Sequence, residues 1–322
     1  MISVAITLGD PRGIGPEVTE AAVRRFRDEH PEVNLILVGP SKCDPGLTPY
    51  QEIGPWDGSE EGAGRVAGAG VRAATQLALT GAVQALVTAP IHKPALARAG
   101  MTPTGHTELL KDLAGVPAVG MLMTSERTVL GPPLRVLLAT THHALRDVPG
   151  LLTADLLVEQ TLLLRDGLQT CWRIPDPHVG LCALNPHASD NGLFGNEENR
   201  IYQPALTRLT TAGVRVSGPL SADSVFRRAL DQEFDAVVAP YHDVGMAAFK
   251  TIAFGDGVNV TLGLPFVRTS PDHGTAFDVA GTGKADPKSM LTALRLAVEL
   301  AANRFDISPE RKQDPLQWLR PG

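Results

Sequence analysis

Little in this chain points to a nucleic acid, a membrane or an oxidising compartment. It has no block of lysines and arginines and no basic stripe interleaved with aromatics, and its formal net charge is −6, so nothing is present to neutralise a phosphodiester backbone. No run of about 18 apolar residues is available to span a bilayer. The opening MISVAITLGDPRG lacks a basic region, a long apolar core and a small-residue cleavage site, and does not read as a secretory signal. Cys43, Cys171 and Cys182 are odd in number and lack CxxC spacing; Cys182 lies in an apolar run, where a thiol packs as a small hydrophobe. A cytoplasmic, reducing compartment is expected. Internal repeats and low-complexity segments are absent, as are the GxGxxG dinucleotide fingerprint and the GxxxxGK[ST] phosphate loop.

What is there describes a globular α/β protein. The 322 residues are enough for two domains, each with its own core, and 32 glycines with 26 prolines imply many tight connections. Apolar runs and helical spacings alternate. Strands are predicted over residues 4–8, 33–38, 85–88, 118–124, 135–140, 179–183 and 236–239, and helices over 17–27, 60–79, 108–114, 154–166 and 201–212. This is βαβ logic. A β-rich stretch follows over 255–271, then the polar loop DHGTAFDVAGTGKADP and a last amphipathic helix over 289–304. That helix has only the first βαβ units to pack on. The expected architecture is therefore two α/β domains with a cleft between them: a discontinuous terminal domain, 1–105 plus 245–322, and a central domain, 106–244.

Three histidines share one placement. His142, His187 and His242 each follow a short apolar run, in LRVLLATTH, VGLCALNPH and DAVVAPYH. If those runs are strands of one parallel sheet, the imidazoles meet at its carboxyl edge, where open α/β sheets place ligands. Imidazole is the commonest donor to divalent first-row metals, so a metal site is predicted. Neighbouring residues in extended chain point apart, and of His142 and His143 only the former is assigned to the site. His30, His92 and His178 read as surface residues.

Two further groups concern anions. GDPRGIGPE reads either as a cradle of backbone N–H groups at a helix start or as a tight turn needing Gly13 and Gly15. GAGRVAGAG lies in a helical pattern and predicts close helix packing. Lys250, Asn259 and Arg268 sit in apolar surroundings within a stretch read as β-rich, and a cation there needs a partner or an anion. Together they predict a phosphate or carboxylate site. His106 and Thr107, in PTGHTE, either add donors to it or cap the next helix.

These motifs, with APIHKPAL, TGHTELL and GPLSADSVF, resemble the 4-hydroxythreonine-4-phosphate dehydrogenase family of pyridoxal phosphate biosynthesis, over residues from about 5 to 300. The resemblance implies an isocitrate/isopropylmalate-dehydrogenase-like fold and a homodimer with its active site at the interface. The implied reaction is NAD- or NADP-dependent oxidation of a secondary alcohol followed by decarboxylation. Carried over by motif, His142, His187 and His242 hold a divalent metal such as zinc, magnesium or cobalt. His106, Thr107, Lys250, Asn259 and Arg268 contact substrate; Asp243 and Lys250 are the catalytic candidates. HGTAFDVAGTGKADP is similar to the cofactor loop of decarboxylating dehydrogenases, which makes His273, Ala276, Asp278 and Asp286 cofactor-side candidates. Asp286 stands where asparagine is usual, and Val244 where the family reads YHDQG. Metal binding should survive the second change, while substrate preference can drift toward phosphorylated threonate or erythronate. Lys250 and Arg268 argue for a phosphorylated substrate over an aromatic dihydrodiol. Outside the family, the same histidines suit a zinc hydrolase or a non-catalytic binding module.

Overall fold

The structure, a computed structural model, describes residues 1–103 and 105–307. The chain forms two compact units, Met1–Pro117 with the segment from Val258 onward, and Ala118–Gly257.

The first unit opens with β1 (Ser3–Thr7), α1 (Gly15–Glu29), β2 (Asn34–Gly39), β3 (Tyr50–Glu52), α2 (Glu60–Leu79), β4 (Ala85–Thr88), α3 (Lys93–Arg98) and α4 (His106–Ala114). The second holds β5 (Gly120–Ser125), β6 (Leu134–Leu138), α5 (Val148–Leu151), α6 (Ala154–Cys171), β7 (Val179–Cys182), α7 (Gln203–Thr211), β8 (Val216–Leu220), α8 (Ala222–Leu230), β9 (Ala236–Ala239) and α9 (His242–Ala253). The chain then returns to the first unit with β10 (Val258–Leu262), β11 (Val267–Pro271) and α10 (Lys288–Arg304).

Strands of the first unit run in the order β3-β2-β1-β4-β11-β10. All neighbours are parallel except the antiparallel pair β10 and β11. β4, in mid-sheet, is buried at every position, which is why ALVT reads as a continuous apolar run and not as an alternation. The last helix, α10, packs on β11, β4 and α1, and Arg295 pairs with Glu29. Close packing inside α2 has a visible cause: a Cβ on Gly64 would meet the Ala95 carbonyl of α3 at 2.0 Å.

In the second unit the order is β5-β6-β9-β7-β8. β5 and β6 are antiparallel, and β6, β9, β7 and β8 are mutually parallel. The strands preceding the three histidines are thus adjacent, in the order β6-β9-β7. Four elements here were not expected from the sequence, α5, β8, α8 and α9. β8, VSGPL, carries Pro219, which confines it to a sheet edge and hides its pattern. α8 is only nine residues long, and buries Val225, Phe226, Ala229 and Leu230 on one face; a large apolar side chain contributes about 1.5–3 kcal/mol when fully buried.

The unit boundaries also differ from 105/106 and 244/245. α4 packs on α2 and stays with the first unit. α9 belongs to the second because Phe249 and Ala253 pack in one core with Val136 and Leu138 of β6. Lys250 therefore lies on a helix, not in a β-rich stretch. Its apolar neighbours are the buried face of α9, whose spacing is masked by the following strand pattern.

Candidate active site

The first group of site residues surrounds Arg268. On the antiparallel pair, Asn259 faces Ser270 and Val260 faces Thr269; side chains alternate, so Asn259, Thr261, Arg268 and Ser270 share one face. Arg268 is buried, 2% exposed. Its Nη1 donates to Thr261 Oγ1 at 3.0 Å and its Nη2 to Thr88 Oγ1 at 2.6 Å. No carboxylate forms an ion pair with it among the described residues, and burial lowers its hold on the proton, opposed only by the field of Glu108. The Arg268 Nε, the Asn259 Oδ1 and the His106 Nε2 are all buried without a hydrogen-bond partner.

His106 opens α4, with Gly105 as the cap. Thr107 is therefore in the first turn and is not the capping residue. Burial, then the charges of Arg268 and Lys93, push the His106 imidazole well below its ordinary value, so it stands neutral beside the guanidinium. A buried guanidinium with an unpartnered Nε–H and no ion-paired carboxylate among the described residues has the charge and the donor to take an anion. Thr88 and Thr261 were not singled out in the sequence. Their only signal was position, at strand ends flanking an arginine.

The second group lies at the carboxyl ends of β6, β9 and β7. Backbone pairing of β6 with β9 continues past both strands, Ala139 N–H to Ala239 O at 2.9 Å and Thr140 N–H to Pro240 O at 3.2 Å. That pairing delivers His142 and His242 side by side, with ring centroids 5.2 Å apart. Asp243 Oδ1 lies 2.8 Å from His242 Nδ1, which leaves Nε2 as the outward donor. His187 leaves β7 differently. After Pro186 the backbone has positive φ at every residue from His187 to Asn191, and His187 Nδ1 ends 3.8 Å from Asp223 Oδ2.

Among the described residues no three His, Cys, Asp or Glu side chains converge as a ready metal cage. The expectation that all three imidazoles meet is realised for two; the third stands at the exit of the next strand. The donor set, three imidazoles at adjacent strand ends, nonetheless has the chemistry of a divalent-metal site. Glu198, missed in the sequence, holds the β7 exit. Its buried carboxylate accepts the N–H groups of Leu184 and Asn185 at 3.1 and 2.8 Å and the Asn185 amide at 2.9 Å.

The third group is the loop after β11. His273 Nδ1 lies 3.1 Å from Gly274 O, and its Nε2 is buried and unpartnered. Ala276 has φ 43°; Asp278 is exposed; Asp286 accepts the Lys288 N–H at 2.9 Å at the start of α10. The GDPRGIGPE segment packs against this loop, and Ile14 N–H is taken by Thr275 O at 2.9 Å. That amide is thus not offered to an anion. His92, expected at the surface, is partly buried and engaged: its Nδ1 lies 3.2 Å from Arg12 Nη2 and its ring meets Phe277. His30 is buried, and His178 Nε2 lies 2.8 Å from Ser217 Oγ.

The family model of the pyridoxal phosphate biosynthetic protein PdxA matches residues 21–297. The chain belongs to this family. A 4-hydroxythreonine-4-phosphate dehydrogenase from Geobacter metallireducens is 39% identical over 92% of this chain and 95% of its own. The crystal structure of 4-hydroxythreonine-4-phosphate dehydrogenase from Klebsiella pneumoniae superposes with a TM-score of 0.81 at 35% identity, covering 94% of this chain and all of that one. Isocitrate dehydrogenase from Methylococcus capsulatus, 16% identical with a TM-score of 0.52 over 95% of this chain and 87% of its own, shares the fold. The dehydrogenase-like α/β fold implied by the PdxA motifs is thereby shown. No helix among the described residues is long and apolar enough to cross a membrane.

Proposed function

We propose that this PdxA-family chain oxidises 4-phosphooxy-L-threonine with NAD or NADP to 2-amino-3-oxo-4-(phosphooxy)butanoate, which decarboxylates to 3-amino-2-oxopropyl phosphate. The observation that carries this reading is the buried Arg268, paired with no carboxylate among the described residues and flanked by the unfilled polar atoms of His106 and Asn259. A phosphate brings the charge and the acceptor oxygen that the Arg268 Nε–H lacks, while Asn259 Oδ1, an acceptor, would take an O–H or N–H of the substrate.

In this reading Arg268, Asn259 and His106 bind the anionic end of the substrate, with Thr107 beside them in the first turn of α4. Thr88 and Thr261 hold the guanidinium in place. Neutral His106 donates or accepts at Nε2 without adding charge. Lys250 supplies a further cation to the substrate, so these residues contribute orientation more than bond-making. Asp243 fixes the tautomer of His242 through Nδ1, or takes the hydroxyl proton itself.

His142, His187 and His242 would hold one divalent ion, zinc, magnesium or cobalt, which when bound lowers the pKa of the substrate hydroxyl and stabilises the negative charge left by loss of CO2. His273, Ala276, Asp278 and Asp286 would hold the dinucleotide whose nicotinamide accepts the hydride. The family resemblance further assigns a homodimer with the active site at its interface, to be checked by sedimentation.

The test is NADH or NADPH formation from 4-phosphooxy-L-threonine, with and without a chelator, beside phosphorylated threonate and erythronate. Turnover of the amino acid that the chelator abolishes supports the reading. Turnover of a phosphorylated sugar acid alone would replace the substrate, which is the change Val244 makes worth testing. No dinucleotide reduction with any of the three would reject the proposed reaction.

A further inference from the structure

The loop over residues 273–286 contains no strand or helix and is held internally by local turn bonds, Val279 N–H to Ala276 O and Thr282 N–H to Val279 O, so contacts from other segments help to fix its course. The first loop of the chain supplies them. Ile14 N–H donates to Thr275 O, and a Cβ on Gly13 would come within 2.7 Å of the same oxygen, so the two backbones are in contact. Farther along, Gly281 N–H donates to Glu17 Oε1 at 3.1 Å.

Between those ties stands Phe277, two-fifths exposed at 41%. The Arg12 guanidinium carbon lies 5.0 Å from its ring centroid. His92 meets the same ring edge-on, with centroids 5.0 Å apart at 82°. Arg12 is rigidly placed: Nε and Nη2 donate to the two oxygens of the buried Asp10 at 3.0 and 2.8 Å, and Nη1 lies 3.7 Å from Glu60. Its Nε and Nη2 are thus held by the Asp10 carboxylate, which fixes the plane of the guanidinium. What it offers is a cation held over the Phe277 ring.

We propose that Arg12 is a positioning residue for the dinucleotide, holding the 273–286 loop in its binding conformation by its cation–π contact with Phe277. The inference rests on the assignment of that loop to the cofactor in the proposed function. It adds that the site is built jointly by the two glycine-rich loops, and that Asp10 and His92 act on it only through Arg12 and Phe277.

Hydrogen exchange of the loop amides and fluorescence titration with NADH test this on Arg12→Ala and Phe277→Leu. The second variant leaves the Asp10–Arg12 pair intact and so avoids stranding a buried carboxylate. Both should exchange faster over residues 274–281 and bind NADH about fivefold more weakly, the scale of an exposed cation–π contact. The KM for the dinucleotide should rise with kcat at saturating dinucleotide nearly unchanged, and binding of inorganic phosphate should not move. Wild-type NADH affinity in both variants overturns the proposal, whether or not loop exchange changes. If NADH fails to slow loop exchange even in the wild-type protein, the cofactor assignment of the loop falls; faster exchange in the variants would then support only the hold of Arg12 on the loop, and the positioning role falls with the assignment.

Discussion

Nη2 of Arg268 donates to Oγ1 of Thr88 at 2.6 Å, across the parallel pair of β11 and β4. Its other contact is Thr261. The guanidinium is thus solvated by hydroxyl groups and ion-paired with no carboxylate among the described residues, with only the field of Glu108 to offset its burial, an arrangement that costs stability when no anion is bound.

Arg268→Met separates that cost from its use. Removing the buried charge should leave the thermal midpoint unchanged or higher. Affinity for the phosphorylated substrate should fall about a hundredfold, within the roughly 2–5 kcal/mol lost when one partner of a buried charge pair is truncated. Calorimetry and steady-state kinetics on the same preparation check both. A variant that melts lower yet keeps its KM would contradict the reading.

Glu198→Gln probes the β7 exit. The amide replaces one acceptor oxygen with a donor facing N–H groups, so the chain leading to His187 loses its fixed course. Affinity for a divalent ion should drop about tenfold or more, as for other residues that orient metal ligands. Zinc titration in competition with a chromophoric chelator measures this, and the circular dichroism spectrum should match wild type.

His106 makes stability depend on pH. Its folded pKa is depressed, first by burial and then by Arg268 and Lys93, so between that lowered value and its ordinary one near 6.5 the unfolded chain binds more protons than the folded one. The contribution is complete above about pH 6.5 and is lost as pH falls toward the depressed value. Denaturation midpoints of wild type should therefore decline below neutrality more steeply than those of His106→Asn. Parallel curves for the two proteins would refute the assignment.

Glu126 and Arg135 form a buried ion pair in the second unit, with the Trp172 indole donating to the same carboxylate at 2.8 Å. Burial raises the Glu126 pKa, but the charge and hydrogen bond of Arg135 together with the hydrogen bonds of Thr124 and Trp172 outweigh it, and the net shift is downward. Glu126→Ala should destabilise by about 3–5 kcal/mol, because Arg135 is left buried and unpaired. Urea unfolding gives the value directly.

Much of the frame was legible along the chain. ALVT and AVVA read as central strands because burial on both faces leaves an unbroken apolar run, and the helix over 60–79 showed its spacing although Gly62, Gly64, Gly68 and Gly70 lie on its packed face. β8 and α8 were not legible, the one because Pro219 breaks its pattern and the other for its brevity. Lys250 was placed in extended chain because the apolar face of α9 runs straight into the strand that follows. Lys250, Asn259 and Arg268 stood out by their apolar settings as candidate anion ligands, and His106 only as an added donor or a helix cap. Thr88 and Thr261 did not, since a threonine at a strand end carries no local mark of the arginine it faces.

Residue types and their order determine the alternating α/β architecture, the placement of three histidines after three strands, and the family motifs. Those are local properties, set by periodicity and by turn chemistry. Tertiary structure decided that β6, β9 and β7 are neighbours, that His142 and His242 come together while His187 turns toward Asp223, and that Arg12 lies over the Phe277 ring. Each of these joins residues far apart along the chain. Such pairings depend on strand order and loop docking, which packing of the whole unit selects and no short window of sequence contains.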